Sequence, residues 1–205
     1  MNILHLNDKI AISGGVEVYI QQLMELLPEY SIGAFWLGID NTNGNYNIKS
    51  YLKEADNKSE ISFGKLIRYL KEYISKNNID IIHIHSLSNP KLIEACFKLT
   101  PVVRSMHEPR IVCPGQGKFW RNSERICDKP FGLHCIYHTY KEGCCNRHPK
   151  RLLKAYKNVL FETTKGNLNY RGIMVMSNYM FEEAVKVGFD TDKIYLNPYF
   201  TPSVD

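Results

Sequence analysis

MNILHLNDKIAISGGVEVYIQQLMELL, from Met1 to Leu27, is the stretch that decides the fold. A short apolar run, Ile3-Leu4-His5-Leu6, leads through a polar loop to Ser13-Gly14-Gly15. Beyond it, Val16, Tyr19, Ile20, Leu23, Leu26 and Leu27 recur at three- and four-residue steps, while Glu17, Gln21, Gln22 and Glu25 lie largely on the other side. This reads as strand, glycine turn and amphipathic helix, and such a helix packs on a sheet. Two glycines at its start let the backbone come close to a ligand, and the first N–H groups of a helix have no intrahelical partner, so an anion can sit there. The same residues also read as a tight turn and nothing more. Their spacing is neither the three-glycine dinucleotide fingerprint nor the lysine-bearing phosphate loop.

The pattern continues along the chain. Tyr30 to Leu37 (YSIGAFWL) is an aromatic, β-branched run expected to form a second strand, and Asp40 to Lys58, rich in Asn, Gly, Lys and Asp, is expected to be a surface excursion. Phe63, Leu66, Ile67, Leu70, Tyr73 and Ile74 restore the helical period, with Ser59 or Ser62 as cap and Asn77-Asn78 as stop. Ile79 to His85 is a nearly continuous apolar strand, which points to a parallel sheet. A helix over Asn89–Leu99 and a strand over Pro101–Met106 follow. Further on come a helix from Pro149, a strand at Gly172–Met176, a Ser177-capped helix ending at Gly188 and a short strand at Ile194–Leu196. Strands alternating with helices imply a doubly wound α/β fold with a mostly parallel, Rossmann-like sheet and helices on both faces, whose ligands bind outside the carboxyl ends of the strands. That rule singles out Asp8–Gly15, Ser86–Asn89 and the region opening at His107. His83 and His85 fall on one face of their strand, and a His-x-His pair can bind metal or serve the core.

With 205 residues and 44% hydrophobic content, one domain over 1–205 is expected. No run approaches a membrane span and the start lacks a signal-peptide layout, so the expected location is the cytoplasm. Charge is uneven. Arg104 to Lys157 holds twelve Lys/Arg against four Asp/Glu, which suits an anionic partner or a merely solvated basic face.

Residues 107–148 show no clear period and form a long irregular insert rich in Cys and His. Loops of this length are usually functional or disordered, and the aromatic and cysteine content argues against disorder. Cys113, Cys127, Cys135, Cys144 and Cys145 lie there with His134, His138 and His148, while Cys96 is separate and reads as core. Three readings stand: a structural zinc held by Cys113, Cys127, Cys135 and Cys144 or Cys145, with a histidine as substitute ligand; disulfides, which a cytosolic setting disfavours; or free thiols. Arg104, Arg110, Lys118, Arg121, Arg125 and Lys129 interleave with Phe119, Trp120, Phe131 and Tyr137, a composition suited to an anionic acceptor or membrane surface. No nucleic-acid motif accompanies the charge, so nucleic acid is not the expected partner.

The tail VMSNYMFEEAVKVGFDTDKIYLNPYFTPSVD resembles the end of the N-terminal domain of family 4 glycosyltransferases of the GT-B class. ISGGVEVYIQQL, DIIHIHS and VVRSMHEP match the same family in the same order, so the resemblance spans essentially the whole chain. It implies the acceptor-binding half of a two-domain, retaining enzyme that moves a sugar from a nucleotide sugar to a glycan or lipid-linked acceptor, as in cell-envelope polysaccharide assembly. It also implies no cofactor for the chemistry. The nucleotide-sugar domain would follow Asp205, leaving this half inactive alone. The resemblance puts donor phosphates near Ser13, Gly14 and Gly15, assigns a catalytic or sugar-contacting role to His107, turns Ser86 toward the cleft, and places His83 and His85 structurally. Glu108 stands where relatives often have aspartate. A non-catalytic glycan-binding or partner module on the same fold, and a nucleic-acid binder using the basic Cys/His loop, are the alternatives.

Overall fold

The computed structural model describes residues 1–42, 44–51 and 57–200, and the chain divides into two compact units, Met1–Ser105 and Met106–Asp205. In the first, β1 (Asn2–Asn7) leads through the glycine turn to α1 (Gly15–Leu26), then to β2 (Gly33–Thr42). The second strand starts three residues later than its aromatic run predicts. Leu27–Tyr30 instead form a 3₁₀ turn around Pro28, closed by Ser31 in the left-handed region at φ 59.

The expected surface excursion is a misreading, because the end of β2 and all of β3 (Asn45–Ser50) lie within it and β4 (Lys58–Ile61) begins at its last residue. Tyr46, Ile48 and Ser50 are buried at alternate positions, so a period of two was present beneath the polar composition. Positions 43 and 52–56 of that stretch lie outside the described residues, as do the last five positions of the family-like tail. α2 (Phe63–Lys76), β5 (Ile81–Ile84), α3 (Pro90–Phe97) and β6 (Val102–Met106) complete this part. Ser62 and Asn77 flank α2 as expected, and the Asn89 side chain caps α3 by accepting from the N–H groups of Lys91 and Leu92.

Strand order here is β6-β5-β1-β2-β3-β4. The pairs β6-β5, β5-β1 and β1-β2 are parallel, and β2-β3 and β3-β4 are antiparallel. From β1 the chain steps outward to β2, then returns to lay β5 and β6 on the other side of β1. Right-handed crossovers taken in opposite directions put α1 and α3 on opposite faces, which is the doubly wound α/β arrangement. Leu4, Leu6, Ile20, Leu37, Leu66, Leu70, Ile82, Ile84 and Leu92 form its fully buried core, each contributing about 1.5–3 kcal/mol of burial.

The second unit begins with the insert, and the expectation that it lacks period is corrected in part. It carries a small hairpin, β7 (Phe119–Trp120) with β8 (Arg125–Ile126), and a helix, α4 (His134–Glu142), ended by Gly143. α4 escaped notice because little of it is apolar and buried; Thr139 and Glu142 are its buried residues. α5 (Pro149–Phe161) starts at the expected proline, passes through one π-helical turn and ends in α6 (Asn167–Asn169). The π turn is locked by Tyr170, whose hydroxyl donates to the buried Glu162 carboxylate at 2.6 Å. Parallel strands β9 (Gly172–Val175) and β10 (Ile194–Leu196) flank α7 (Asn178–Lys186), which Ser177 caps and Gly188, at φ +91, follows.

Candidate functional site

In the first unit the strand order reverses between β1 and β5, and the carboxyl ends of these strands are where a doubly wound sheet places its ligand crevice. Asn7, the last residue of β1, organises that spot. Its Nδ2 donates to Glu17 Oε1 at 2.7 Å, and its Oδ1 accepts from the Ser86 N–H at 3.2 Å, just beyond β5. One buried amide therefore joins β1, the first turn of α1 and the loop carrying Ser86. Both of its ends are used, which fixes its orientation.

Glu17, expected on the polar side of α1, is fully buried. Its second carboxylate oxygen lies 3.8 Å from Lys9 Nζ, and its charge together with burial raises the Tyr51 pKa, burial being the larger cause. The side chain is drawn under the turn, and no side chain caps the helix at Gly14, whose backbone is extended. The first intrahelical bond runs from the Val18 N–H to the Gly14 carbonyl, which leaves the N–H groups of Gly15, Val16 and Glu17 at the uncapped end. Ser13 is exposed and Gly15 is open, with nothing within 4 Å of where a Cβ would stand. By contrast, a Cβ on Gly38 would lie 2.2 Å from the Lys9 carbonyl oxygen, so the loop after β1 rests directly on β2.

Beneath this spot sit three histidines. His5 pairs across the sheet with His83, and His85 lies two residues further along the same face. Among the described residues this is the one trio of metal-ligating groups whose ligand atoms all lie within 4.8 Å of one another. His5 Nδ1 is 3.0 Å from His85 Nε2, and His83 Nε2 is 2.7 Å from Ser105 Oγ. Burial pushes the His5 pKa down to about 4, so its ring is neutral. The Arg104 guanidinium donates to the His85 carbonyl and is itself only 1% exposed. A fixed buried cation at that place disfavours a metal dication, and the trio is better read as a hydrogen-bonded core network. Arg104 accordingly does not belong with the basic surface to which composition assigned it.

In the second unit, His107 follows β6 directly. Its Nδ1 lies 3.0 Å from the Tyr199 hydroxyl, which also reaches the His107 carbonyl at 3.4 Å, and the rings stack with centroids 5.9 Å apart. When Tyr199 donates to the carbonyl, Nδ1 carries the proton and Nε2 is the basic nitrogen. Glu108 is engaged by Arg110 in an ion pair at 2.5 Å, so these two residues largely neutralise each other. Arg121 and Arg125 are exposed on the hairpin that carries the exposed Phe119 and Ile126, and Tyr137 on α4 is exposed as well.

The insert is attached through Lys118, which is buried and so, like Arg104, does not belong with the basic surface its charge suggested. Its ammonium, 2% exposed, lies 2.7 Å from Glu183 on α7, 1% exposed, and also donates to the Lys129 carbonyl. Lys186 reaches the other Glu183 oxygen at 2.7 Å. The insert cysteines are free and part-buried. Burial and neighbouring thiols raise Cys144 to about 11, and burial likewise raises Cys135 and Cys145. Cys96 is buried and pushed up to about 12, as a core thiol should be.

His5, Asn7, Glu17, Tyr199 and the Lys118–Glu183 pair were not singled out by sequence. A polar residue ending an apolar strand was the available sign for Asn7. Nothing in the sequence paired Lys118 with a residue 65 positions away.

No protein-family model matches the chain, and no curated protein matches it. Among solved structures it is similar to Anabaena HepE in complex with UDP, at 12% identity and TM-score 0.46, over 97% of this chain and 44% of that one. It is also similar to the Clostridium thermocellum family 3 carbohydrate esterase, at 10% identity and TM-score 0.37, over 85% and 76%. Both likenesses are loose, and the chain spans less than half the length of the HepE structure.

Proposed function

We propose that this chain is the acceptor-binding half of a retaining glycosyltransferase of the GT-B class, completed by a nucleotide-sugar domain of the same polypeptide. The observation that carries the reading is the switch point between β1 and β5, where Asn7 ties an uncapped helix start to the Ser86 loop. Uncapped N–H groups beside an open glycine suit the phosphates of a nucleoside diphosphate, whose charge they would partly offset. Sugar transfer breaks the bond between the anomeric carbon and the diphosphate and forms one to an acceptor hydroxyl, with positive charge developing on the sugar. The leaving diphosphate needs stabilising and the acceptor needs positioning. Ser13, Gly14 and Gly15 take the first task in this half. His107, held by Tyr199, takes the second by hydrogen bonding to a sugar hydroxyl. The chemistry calls for no cofactor.

The acceptor is a glycan or lipid-linked sugar. Arg121 and Arg125, on the same hairpin as the exposed Phe119 and Ile126, suit an anionic headgroup, consistent with work at the inner face of a membrane. Among the described residues no helix is long and apolar enough to cross one.

Gly15→Ala provides the test, because the new Cβ meets nothing within 4 Å and the fold should accept it. In the full polypeptide, a nucleotide-sugar screen by calorimetry should find one donor class, and Gly15→Ala should weaken its binding about tenfold at unchanged melting temperature. Failure of every nucleotide sugar to bind, or binding that ignores Gly15→Ala, overturns the reading.

A further inference from the structure

The helix of the insert is built inside out. Leu133, at the N-cap of α4, is followed at helical spacing by Ile136, Tyr137 and Tyr140, an arrangement that ordinarily turns toward a core. Here that stripe faces solvent, with exposures running from 41% for Ile136 to 77% for Leu133. The buried side carries Thr139 and Glu142 instead. Both are satisfied there: the Thr139 hydroxyl donates to the Cys135 carbonyl at 2.9 Å, and Glu142 Oε2 accepts from the Ser123 hydroxyl at 2.8 Å. Such a helix gains nothing from its apolar side until something covers it, and contiguous apolar surface left exposed on a folded chain marks an interaction site.

The rim of the stripe is positive. Lys141 holds its ammonium 5.7 Å from the centre of the Tyr137 ring, and the Tyr140 hydroxyl donates to the Arg147 carbonyl at 3.3 Å. The hairpin is pinned to the same end of the helix. The Asn122 N–H donates to the Glu142 carbonyl at 3.1 Å, and a Cβ on Gly143 would lie 3.4 Å from Arg147 Nη2 and 3.8 Å from Arg121 Cβ. From Phe119 to Arg147 the exposed charges are Arg121, Arg125, Lys129, Lys141 and Arg147 against Glu124 and Asp128. We propose that this face of α4 docks on the headgroup layer of an anionic lipid bilayer. Leu133 and Ile136 enter the acyl boundary, Tyr137 and Tyr140 lie where one end of the ring is apolar and the other wet, and the cations at the helix end pair with lipid phosphates. A second copy of the chain is the poorer occupant, because it would set the same positive rim against this one. The membrane setting rests on the proposed function, whereas the choice of α4 as the docking element rests on its inverted faces.

The test is co-sedimentation of the whole chain with vesicles of phosphatidylcholine alone and of phosphatidylcholine with about 30% phosphatidylglycerol. Binding to the anionic vesicles is expected, weakening as salt rises, with little binding to the neutral ones. Ile136→Ser combined with Tyr137→Ser should weaken it about tenfold at an unchanged melting temperature, since both side chains are exposed. Lys141→Glu should weaken it as well, whereas Tyr30→Ser, which removes an exposed tyrosine from the first unit, should leave it as it was. If the double variant fails to fold, Lys141→Glu and the salt dependence of the unaltered chain decide. Equal binding to both kinds of vesicle, binding that ignores the double variant and Lys141→Glu, or self-association without lipid that the double variant abolishes would each overturn the assignment, the last in favour of a second copy. Vesicle binding without nucleotide-sugar binding would remove the transferase and keep this surface; the converse would remove the surface alone.

Discussion

Glu183→Leu should be among the most damaging single substitutions on α7. The change removes the carboxylate 2.7 Å from Lys118 Nζ and leaves an ammonium that is 2% exposed with, among the described residues, the Lys129 carbonyl for company. An uncompensated buried charge costs about 3–5 kcal/mol, a large share of the roughly 5–15 kcal/mol that holds a domain folded. Lys118→Met should cost less, about 2–3 kcal/mol, because Glu183 loses the ammonium at one oxygen but keeps Lys186 at the other. Replacing both residues should return stability to within about 1 kcal/mol of the starting protein, since two apolar side chains can fill a site that no longer holds a charge. Urea unfolding followed by tryptophan fluorescence measures all three, because Trp120 lies in the hairpin that follows Lys118. A loss below about 1 kcal/mol for Glu183→Leu, or a coupling energy below about 0.5 kcal/mol in the cycle, would show that the pair does not anchor the insert.

His5 titrates near 4 when folded and near 6.5 when unfolded, so the unfolded chain binds the extra proton between those values. Stability should therefore be complete above pH 6.5 and fall toward pH 4 by up to about 1.4 kcal/mol per pH unit from this group, and His5→Gln should flatten that part of a denaturation-versus-pH curve. Asn7→Asp places a carboxylate against Glu17 and should lower the melting temperature by several degrees at pH 7, with partial recovery as the pH falls; an unchanged melting temperature would mean that the amide does not bridge these loops. Cys96 should resist alkylation in the native protein and react only after unfolding, which mass spectrometry of the labelled peptides reads directly.

Much of the fold was legible because periodic apolar residues dominate where elements are long and buried. The α2 pattern and its flanking Ser62 and Asn77, the Ile81–Ile84 strand and the Ser177 cap are local signals that packing did not override. β3 was illegible for the opposite reason: three alternating buried residues lie among Asn and Lys, and composition outweighed period. The site divides similarly. The place of Gly14-Gly15 at the start of α1 and of His107 just past β6 was legible because turn chemistry and strand ends leave marks in sequence. Arg104 was misassigned because its charge is visible in sequence whereas its burial beneath the His85 carbonyl is not. Glu17 failed for the same reason, since helical period alone sends a glutamate to solvent, whereas the Asn7 amide and the Lys9 ammonium draw it inward.

The outer strand of the first unit, β4, has a bearing on how the chain behaves when crowded. An edge strand offers its unpaired backbone to any passing strand and so seeds aggregation. β4 is only four residues long, carries Lys58 and Glu60, meets β3 with a register shift, and turns Glu60 to φ +52. A visiting strand would find a short, charged and bent template rather than a flat one. Straightening that edge with β-branched residues should raise turbidity on heating before it alters anything at the carboxyl ends of the sheet.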